Sequence, residues 1–118
     1  MGSIPIPGAN FFIMNEFTEK HKETIDFFKS IQNDMLELLI KKQIDYGINN
    51  ITLGKDPSIE ENQKLILTGL WFRMNDKIQR VINIVGKSPQ NESLEDTYID
   101  LANYALISIL ILKNKWFK

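Results

Sequence analysis

The chain has 118 residues, enough for one domain with a single hydrophobic core and too few for two independent domains of ordinary size. Hydrophobic residues make up 43% and charged residues 25% of it, which is typical of a globular protein and excludes pervasive disorder. Its 14 Lys and Arg against 15 Asp and Glu give a formal charge of -1, which argues against broad binding to duplex nucleic acid.

Cysteine and histidine usage excludes several kinds of site. The chain has no cysteine, which excludes disulfides, thiolate catalysis and cysteine-bound metals. Its one histidine, His21, cannot supply a histidine-rich zinc site, and the neighbouring Lys20 and Lys22 favour a solvated helix start. No segment approaches the roughly 20 apolar residues of a membrane-spanning helix, so we expect a cytoplasmic protein without a membrane partner.

Residues 1–14 are expected to be a flexible tail or an artificial extension, followed by a single helical domain over residues 15–118. Residues 1–13 contain two prolines, two glycines and no charge, so they lack the basic start of a secretory signal. Met14 is a candidate native start because the charged, periodic region follows it directly.

The first long helix is predicted to begin at Thr18, a residue type that caps helices, and to end at Tyr46 before Gly47. No pattern in the chain alternates as a strand would, so we predict an all-α fold of three long helices. Five apolar residues at the helical period are expected to form the buried stripe of this helix: Phe28, Ile31, Met35, Leu38 and Leu39.

Residues 47–57 are rich in asparagine, glycine, aspartate and proline, which predicts a loop. Ser58 and Glu61 have the spacing of a capping box and predict the start of the second helix, which Gly86 is expected to end. Its predicted core stripe, at the helical period, consists of Leu67, Trp71, Met74, Ile78, Val81 and Val85.

Ser93 and Asp96 repeat the capping spacing and predict a third helix that runs to the C-terminus. Between Leu101 and Leu112 nearly every position is apolar, which is more than one buried stripe requires. This helix is therefore expected to be central to the domain or covered by another subunit. We favour a helical bundle completed by a homodimer or higher oligomer.

Each predicted helix also carries a polar stripe. The stripes are Asp34, Glu37, Lys41 and Asp45; then Gly69, Arg73, Asp76, Lys77 and Arg80; then Glu92, Asp96, Asp100 and Asn103. Arg73 and Arg80, seven positions apart on one face, suit bidentate phosphate contacts, and Gly69 is expected to let a ligand or neighbouring helix approach closely. Carboxylates four residues apart suit Mg²⁺, so stripes facing one cavity would suit a metal-bound phosphate compound. A network of mutual ion pairs would give the same pattern.

Three ordered blocks carry a family resemblance: KK..DYG..N over residues 41–50, GL..R..DK..R..N over 69–83 and ES..DT..D..NYA over 92–105. Over roughly residues 34–112 the chain resembles the nucleotide-modification-associated domain family, first type. That family is helical and occurs in bacteria and their phages. The resemblance implies nucleotide handling in a bacterial or phage-infected cell, with substrate-binding roles for Lys41, Asp45, Tyr46, Asn50, Arg73, Asp76, Lys77, Arg80, Asn103 and Tyr104.

A more distant similarity is to the all-α nucleoside triphosphate pyrophosphatases, the MazG and dimeric dUTPase group. Those enzymes hold Mg²⁺ against the triphosphate with acidic pairs on two helices. The similarity implies metal binding by Glu37, Glu92, Asp96 and Asp100, with catalytic roles for Glu92, Asp96 and Asp100. Asp96 and Asp100 are four residues apart, whereas that group shows ExxE and ExxD spacings.

Three functions stay open on the sequence. The first is Mg²⁺-dependent hydrolysis of a nucleoside triphosphate, with pyrophosphate release. The second is binding without turnover of a nucleotide or other phosphate-bearing small molecule, to sequester a signalling nucleotide or assist base modification; Tyr46 and Tyr104 would stack on the base. The third is a helical interaction module whose polar stripes form ion pairs across a dimer.

Overall fold

The computed structural model describes residues 9–118, which form five helices and, within that range, no strand. The helices are α1 (Ala9–Lys20), α2 (Lys22–Tyr46), α3 (Asn49–Thr52), α4 (Glu60–Ile84) and α5 (Leu94–Leu112). The predicted all-α class is confirmed, although residues 9–118 form five helices where three were predicted. No helix within residues 9–118 is long and apolar enough to cross a membrane.

The chain divides into two compact units, Met1–Glu37 and Leu38–Lys118, which we describe separately. In the first unit the predicted helix start at Thr18 is wrong, because Thr18 lies inside α1. No proline or glycine follows Gly8 until Gly47, so nothing in the sequence interrupts a helix upstream of Thr18.

Residues 9–14, expected to belong to a tail, form the first half of α1, and residues 1–8 lie outside the described residues. His21 separates α1 from α2 in a turn, with its ring 4.3 Å from that of Phe17, centroid to centroid. The buried stripe predicted for the first helix is wrong at Phe28, which is 61% exposed. Leu39, at the other end of that stripe, is buried and belongs to the second unit.

Helix α2 ends where the sequence predicts, because Gly47 adopts a φ of +82°, a left-handed conformation that glycine takes without steric cost. The Gly47 N–H donates to the carbonyl oxygen of Gln43 at 2.8 Å and so closes the last turn. The predicted loop after it contains the short helix α3, in which Ile51 and Thr52 are buried.

The capping box predicted for Ser58 and Glu61 is wrong. The backbone N–H and hydroxyl of Ser58 both donate to Asp56 Oδ1, at 2.9 and 2.7 Å, so the serine is bound to the preceding loop. These two hydrogen bonds hold the pKa of Asp56 below its ordinary value. Ile59 occupies the N-cap position of α4 and makes no side-chain capping bond.

The other helix ends of the second unit are set by backbone and capping groups. Gly86, with a φ of +80°, follows the end of α4 as predicted. Ser93 Oγ accepts from the Asp96 N–H at 3.0 Å, which confirms the predicted start of α5. Helix α5 ends at Leu112, short of the predicted C-terminal end, and Asn114 adopts a left-handed φ of 54°.

The core of the second unit lies where α4 packs against α5 and α3 packs against α4. Its buried side chains are Leu39, Ile51, Ile66, Leu70, Ile107, Ile111 and Trp116. Trp116 follows α5 and donates from its indole Nε1 to the Ile48 carbonyl oxygen at 3.1 Å. Gln63 Nε2 donates to the Ile111 carbonyl oxygen at 3.0 Å and joins α4 to α5.

The predicted core stripe of α4 is wrong at three of its six positions, whereas Leu67 packs against the core. Trp71, Ile78 and Val85 are 57%, 43% and 65% exposed, so the simple packing expected for Trp71 does not occur in this chain. The buried face of α4 instead carries Ile66 and Leu70, about 100° around the helix from that stripe.

Candidate functional site

A cavity of about 440 Å³ opens in the second unit, between the end of α2, helix α3 and the helices α4 and α5. Its lining combines three basic side chains, two carboxylates, three amides, two tyrosines and three aliphatic residues. In that order they are Lys42, Arg73, Lys77, Glu92, Asp100, Gln43, Asn50, Asn103, Tyr46, Tyr104, Leu39, Ile51 and Ile107. The lining therefore has one more positive than negative formal charge.

Helical register explains why these side chains share one cavity. The lining residues of α2 are Leu39, Lys42, Gln43 and Tyr46, which are spaced by three, one and three residues and so lie on one face. Helix α5 presents Asp100, Asn103, Tyr104 and Ile107 with the same spacing. Each face leads from buried aliphatic residues of the core to polar side chains in the cavity.

Asp100 is the centre of the charge network in this cavity. Its Oδ1 accepts a hydrogen bond from Lys42 Nζ at 2.7 Å, and its Oδ2 lies 2.9 Å from Lys77 Nζ. Lys77 Nζ also donates to Glu92 Oε2 at 3.2 Å. One carboxylate thus joins α2 to α4 through α5, and Lys77 is shared between two acids.

The network shifts the pKa values of Asp100 and Lys77 in the directions that keep these two groups charged. Burial acts to raise the pKa of Asp100, but the hydrogen bonds from Lys42 and Lys77 outweigh it and hold the pKa below its ordinary value. Burial likewise acts to lower the pKa of Lys77, and the hydrogen bond to Asp100 reverses the direction and raises it. Neither group is tuned toward neutral pH.

Arg80 lies next to the cavity and bonds to Thr97 and to the lining residue Glu92. Its Nε donates to Thr97 Oγ1 at 2.8 Å, and its Nη2 donates to the Glu92 carbonyl oxygen. Thr97 is fully buried and donates from its hydroxyl to the Ser93 carbonyl oxygen at 3.1 Å. This chain of bonds fixes the segment that presents the Glu92 carboxylate to Lys77.

Arg73 is the lining cation that pairs with no carboxylate among residues 9–118. Its Nη1 donates to Asn50 Oδ1 and its Nη2 to the Asn50 carbonyl oxygen, both at 3.2 Å. Its Cζ lies 5.9 Å from the ring centroid of Tyr104, within cation–π range. The guanidinium is therefore held in position by neutral groups.

The structure brings together most of the residues predicted to bind substrate. Tyr46, Asn50, Arg73, Lys77, Asn103 and Tyr104 line the cavity, together with the predicted catalytic residues Glu92 and Asp100. Arg80 adjoins it through Glu92. Lys41, Asp45, Asp76 and Asp96 are exposed and are not among the lining residues.

The predicted metal set is divided between different surroundings. Glu92 and Asp100 line the cavity, Asp96 is exposed, and Glu37 is exposed in the first unit. Among residues 9–118 no three Asp, Glu, His or Cys side chains come close enough to hold a metal ion. Both lining carboxylates are bonded to Lys77, so Mg²⁺ binding stays a prediction that no preformed cluster supports.

Sequence reasoning missed two polar lining residues, Lys42 and Gln43. Their signal is register, because Tyr46 was identified and both lie three or four positions before it on the face that leads to Leu39. Gln43 is distinctive because its Oε1 is buried and has no hydrogen-bond partner among the described residues. No helix of the described chain approaches Gly69 closely, since a Cβ there would meet nothing within 4 Å; close approach of a ligand stays a prediction.

The chain matches no protein-family model, no curated protein sequence and no solved structure. The resemblance to the nucleotide-modification-associated domain therefore stays a prediction that rests on the three sequence blocks.

Proposed function

We propose that the cavity binds a small molecule of the nucleotide class, and that Arg73 holds its phosphate. The observation that carries the proposal is the charged guanidinium of Arg73, which lines the cavity without a carboxylate partner among residues 9–118. A guanidinium presents paired N–H donors that match phosphate oxygens, and a phosphate would replace the weaker acceptors of Asn50.

Size and composition support a nucleotide rather than a free phosphate ion. The cavity, at about 440 Å³, falls in the range of roughly 300–1,000 Å³ typical of small-molecule sites. Tyr46 and Tyr104 add flat aromatic surfaces, on which a base can stack. Leu39 and Ile107, which are buried in the core, supply the aliphatic part of the lining.

The charge network favours binding without turnover. A general acid or base works best with a pKa near the operating pH, whereas the hydrogen bonds to Asp100 hold its pKa below the ordinary value. The Asp100 carboxylate is also occupied on both oxygens by lysine ammonium groups. A cytoplasmic protein that sequesters a nucleotide, or presents it to a base-modifying enzyme, would need a binding cavity and no catalytic acid or base.

The experiment is isothermal titration calorimetry with nucleoside mono-, di- and triphosphates, on the native sequence and on Arg73→Gln. We expect binding by the native chain and affinity at least about tenfold weaker in the variant, because charge-assisted bonds to phosphate are lost. Lys64→Gln is the matched control, since Lys64 is an exposed cation of the same helix outside the cavity. Absence of binding to every nucleotide, or equal affinities in both variants, would contradict the proposal.

Hydrolysis of a nucleoside triphosphate is a second candidate, supported by the convergence of two carboxylates. Asp100 Oδ2 and Glu92 Oε2 lie 2.9 and 3.2 Å from the same Lys77 Nζ. Magnesium commonly takes one or two carboxylates together with phosphate oxygens, so a cation arriving with the substrate would compete with Lys77 for that place. Chromatography of triphosphates after incubation with Mg²⁺ decides between the candidates: consumed substrate favours hydrolysis, and intact nucleotide favours binding alone.

A second copy of the chain is the partner that we propose for α4. Leu67, Trp71, Met74, Ile78, Val81 and Val85 are spaced alternately by four and three residues, the repeat of a coiled-coil seam. In this row, here called the α4 seam, Trp71, Ile78 and Val85 are exposed and the other three residues are half-buried. If no nucleotide binds, a seam for self-association supports the helical interaction module instead.

A further inference from the structure

The Oε1 atom of Gln43 is an unusual feature of the cavity, because it is buried and accepts no hydrogen bond from any described residue. Gln43 lies on α2, between Lys42 and Tyr46 in the face that lines the cavity. Buried acceptors are almost always paired in folded proteins, since an unpaired one has lost its bonds to water and gained none.

The three cationic donors of the cavity lining are already engaged. Lys42 and Lys77 direct their ammonium groups to Asp100, and the Arg73 guanidinium binds Asn50. Redirecting one of these bonds to Gln43 would leave a carboxylate or an Asn50 oxygen without that donor. A donor that enters the cavity from outside would pair with Gln43 Oε1 without that loss.

We propose that Gln43 recognises the neutral part of the bound molecule, with its Oε1 accepting a hydrogen bond from an N–H group of the base. This inference rests on the proposed function and extends it, because Arg73 would hold the phosphate while Gln43 selects for what the phosphate carries. Every nucleobase presents such a donor, as an amino or a ring N–H group, whereas inorganic phosphate and pyrophosphate offer no base. A ribose hydroxyl is the other source of a donor, and the test separates the two.

The test compares the native chain with Gln43→Leu, which has a similar volume and no acceptor. Without ligand, we expect the variant to unfold at a higher temperature, because the unpaired buried acceptor is gone. With nucleoside 5′-monophosphates as probes, we expect affinity about fivefold or more below that of the native chain, since the base donor then meets an apolar side chain. Affinities for ribose 5-phosphate and inorganic phosphate should be unchanged.

Gln63→Leu is the matched control. Gln63 Nε2 donates to the Ile111 carbonyl oxygen, so the same substitution there should lower the unfolding temperature and leave nucleotide affinity unchanged. Equal affinity of Gln43→Leu and the native chain for nucleoside monophosphates would overturn the role of Gln43 and leave the proposed function standing. A matching loss for ribose 5-phosphate would overturn the base as the donor. Absence of phosphate binding by the native chain would overturn both proposals.

Discussion

At the scale of single residues, Asp100 holds the cavity together. Its side chain is 9% exposed and accepts from Lys42 on one oxygen and Lys77 on the other. A neutral replacement would leave two ammonium groups close to each other with only the more distant Glu92 near Lys77. Removing one partner from a buried ionic network lowers the free energy of unfolding by more than a surface ion pair contributes to it, because the remaining charges stay desolvated.

We predict that Asp100→Asn lowers the free energy of unfolding at pH 7 by about 1–3 kcal/mol, between the values typical of surface and fully buried pairs. The pKa of Asp100 lies below 3.8 in the folded chain, so its stabilisation is fully present above that pH and is lost as the pH falls through the folded pKa. Urea unfolding of both proteins at pH 7 and in steps below pH 4 should therefore show the difference shrinking.

Asp76→Asn is the control for this measurement, because Asp76 is an exposed carboxylate of α4 outside the cavity. Its substitution should change the free energy of unfolding by less than about 0.5 kcal/mol at any pH. A difference between Asp100→Asn and the native chain that stays constant down to pH 2 would contradict the assignment of the network to Asp100.

The sequence predicts part of the site because helical spacing places side chains on common faces. Arg73, Lys77 and Asp100 were identified in this way and line the cavity. Asp96 was identified with equal weight and is exposed, because four residues turn a helix by only 40° and spacing does not mark the edge of a buried face. Gln43 carries no charge, and its lack of a partner is a property of the packed structure alone.

At the scale of helices, the sequence predicts a helix end correctly where a single nearby residue can cap it. It fails where two nearby groups compete for the same hydrogen bond. Gly47 and Ser93 act through their own backbone conformation or hydroxyl, and both ends are confirmed. Ser58 has the same capping chemistry, but Asp56 lies two residues away and takes its hydroxyl. The composition of the loop contains both options, and only the folded geometry shows which one forms.

Gly69 gives the sharpest prediction about a helix. It lies within α4, where glycine is less favourable than alanine, and the space around its Cβ position is open. Gly69→Ala should therefore raise the free energy of unfolding by about 0.5–1 kcal/mol without changing nucleotide affinity. Thermal unfolding and calorimetric titration measure the two quantities.

Gly47→Ala is the contrast, since it also has open space around the added methyl group. Its φ of +82° is strained for any residue with a Cβ, so this variant should be destabilised by about 1–2 kcal/mol. The opposite signs would show that backbone conformation, rather than space, distinguishes the two glycines. Destabilisation by Gly69→Ala would mean that a neighbouring chain packs closely on that face.

At the scale of the whole molecule, α4 has two faces with different surroundings. One face carries Ile66 and Leu70 into the core and Arg73 and Lys77 into the cavity. The α4 seam lies beside it and is exposed at Trp71, Ile78 and Val85. The sequence shows the seam more clearly than the buried face, because charges interrupt the apolar pattern of the latter. Apolar periodicity identifies an apolar helix face. It does not show whether the same chain or another chain packs against that face.

The α4 seam predicts self-association that one charge should abolish. Ile78 lies at the middle of the seam, so Ile78→Glu would place a carboxylate in a packed helix pair, where its desolvation is uncompensated. We expect sedimentation equilibrium to show a dimer or higher oligomer for the native chain and a monomer for this variant. Phe72→Glu is the control, since Phe72 is equally apolar and exposed on α4 but lies about 120° away from Ile78 around the helix, off the seam. If both variants associate as the native chain does, the seam is not the interface; if only Phe72→Glu dissociates, the second copy binds the opposite face of α4.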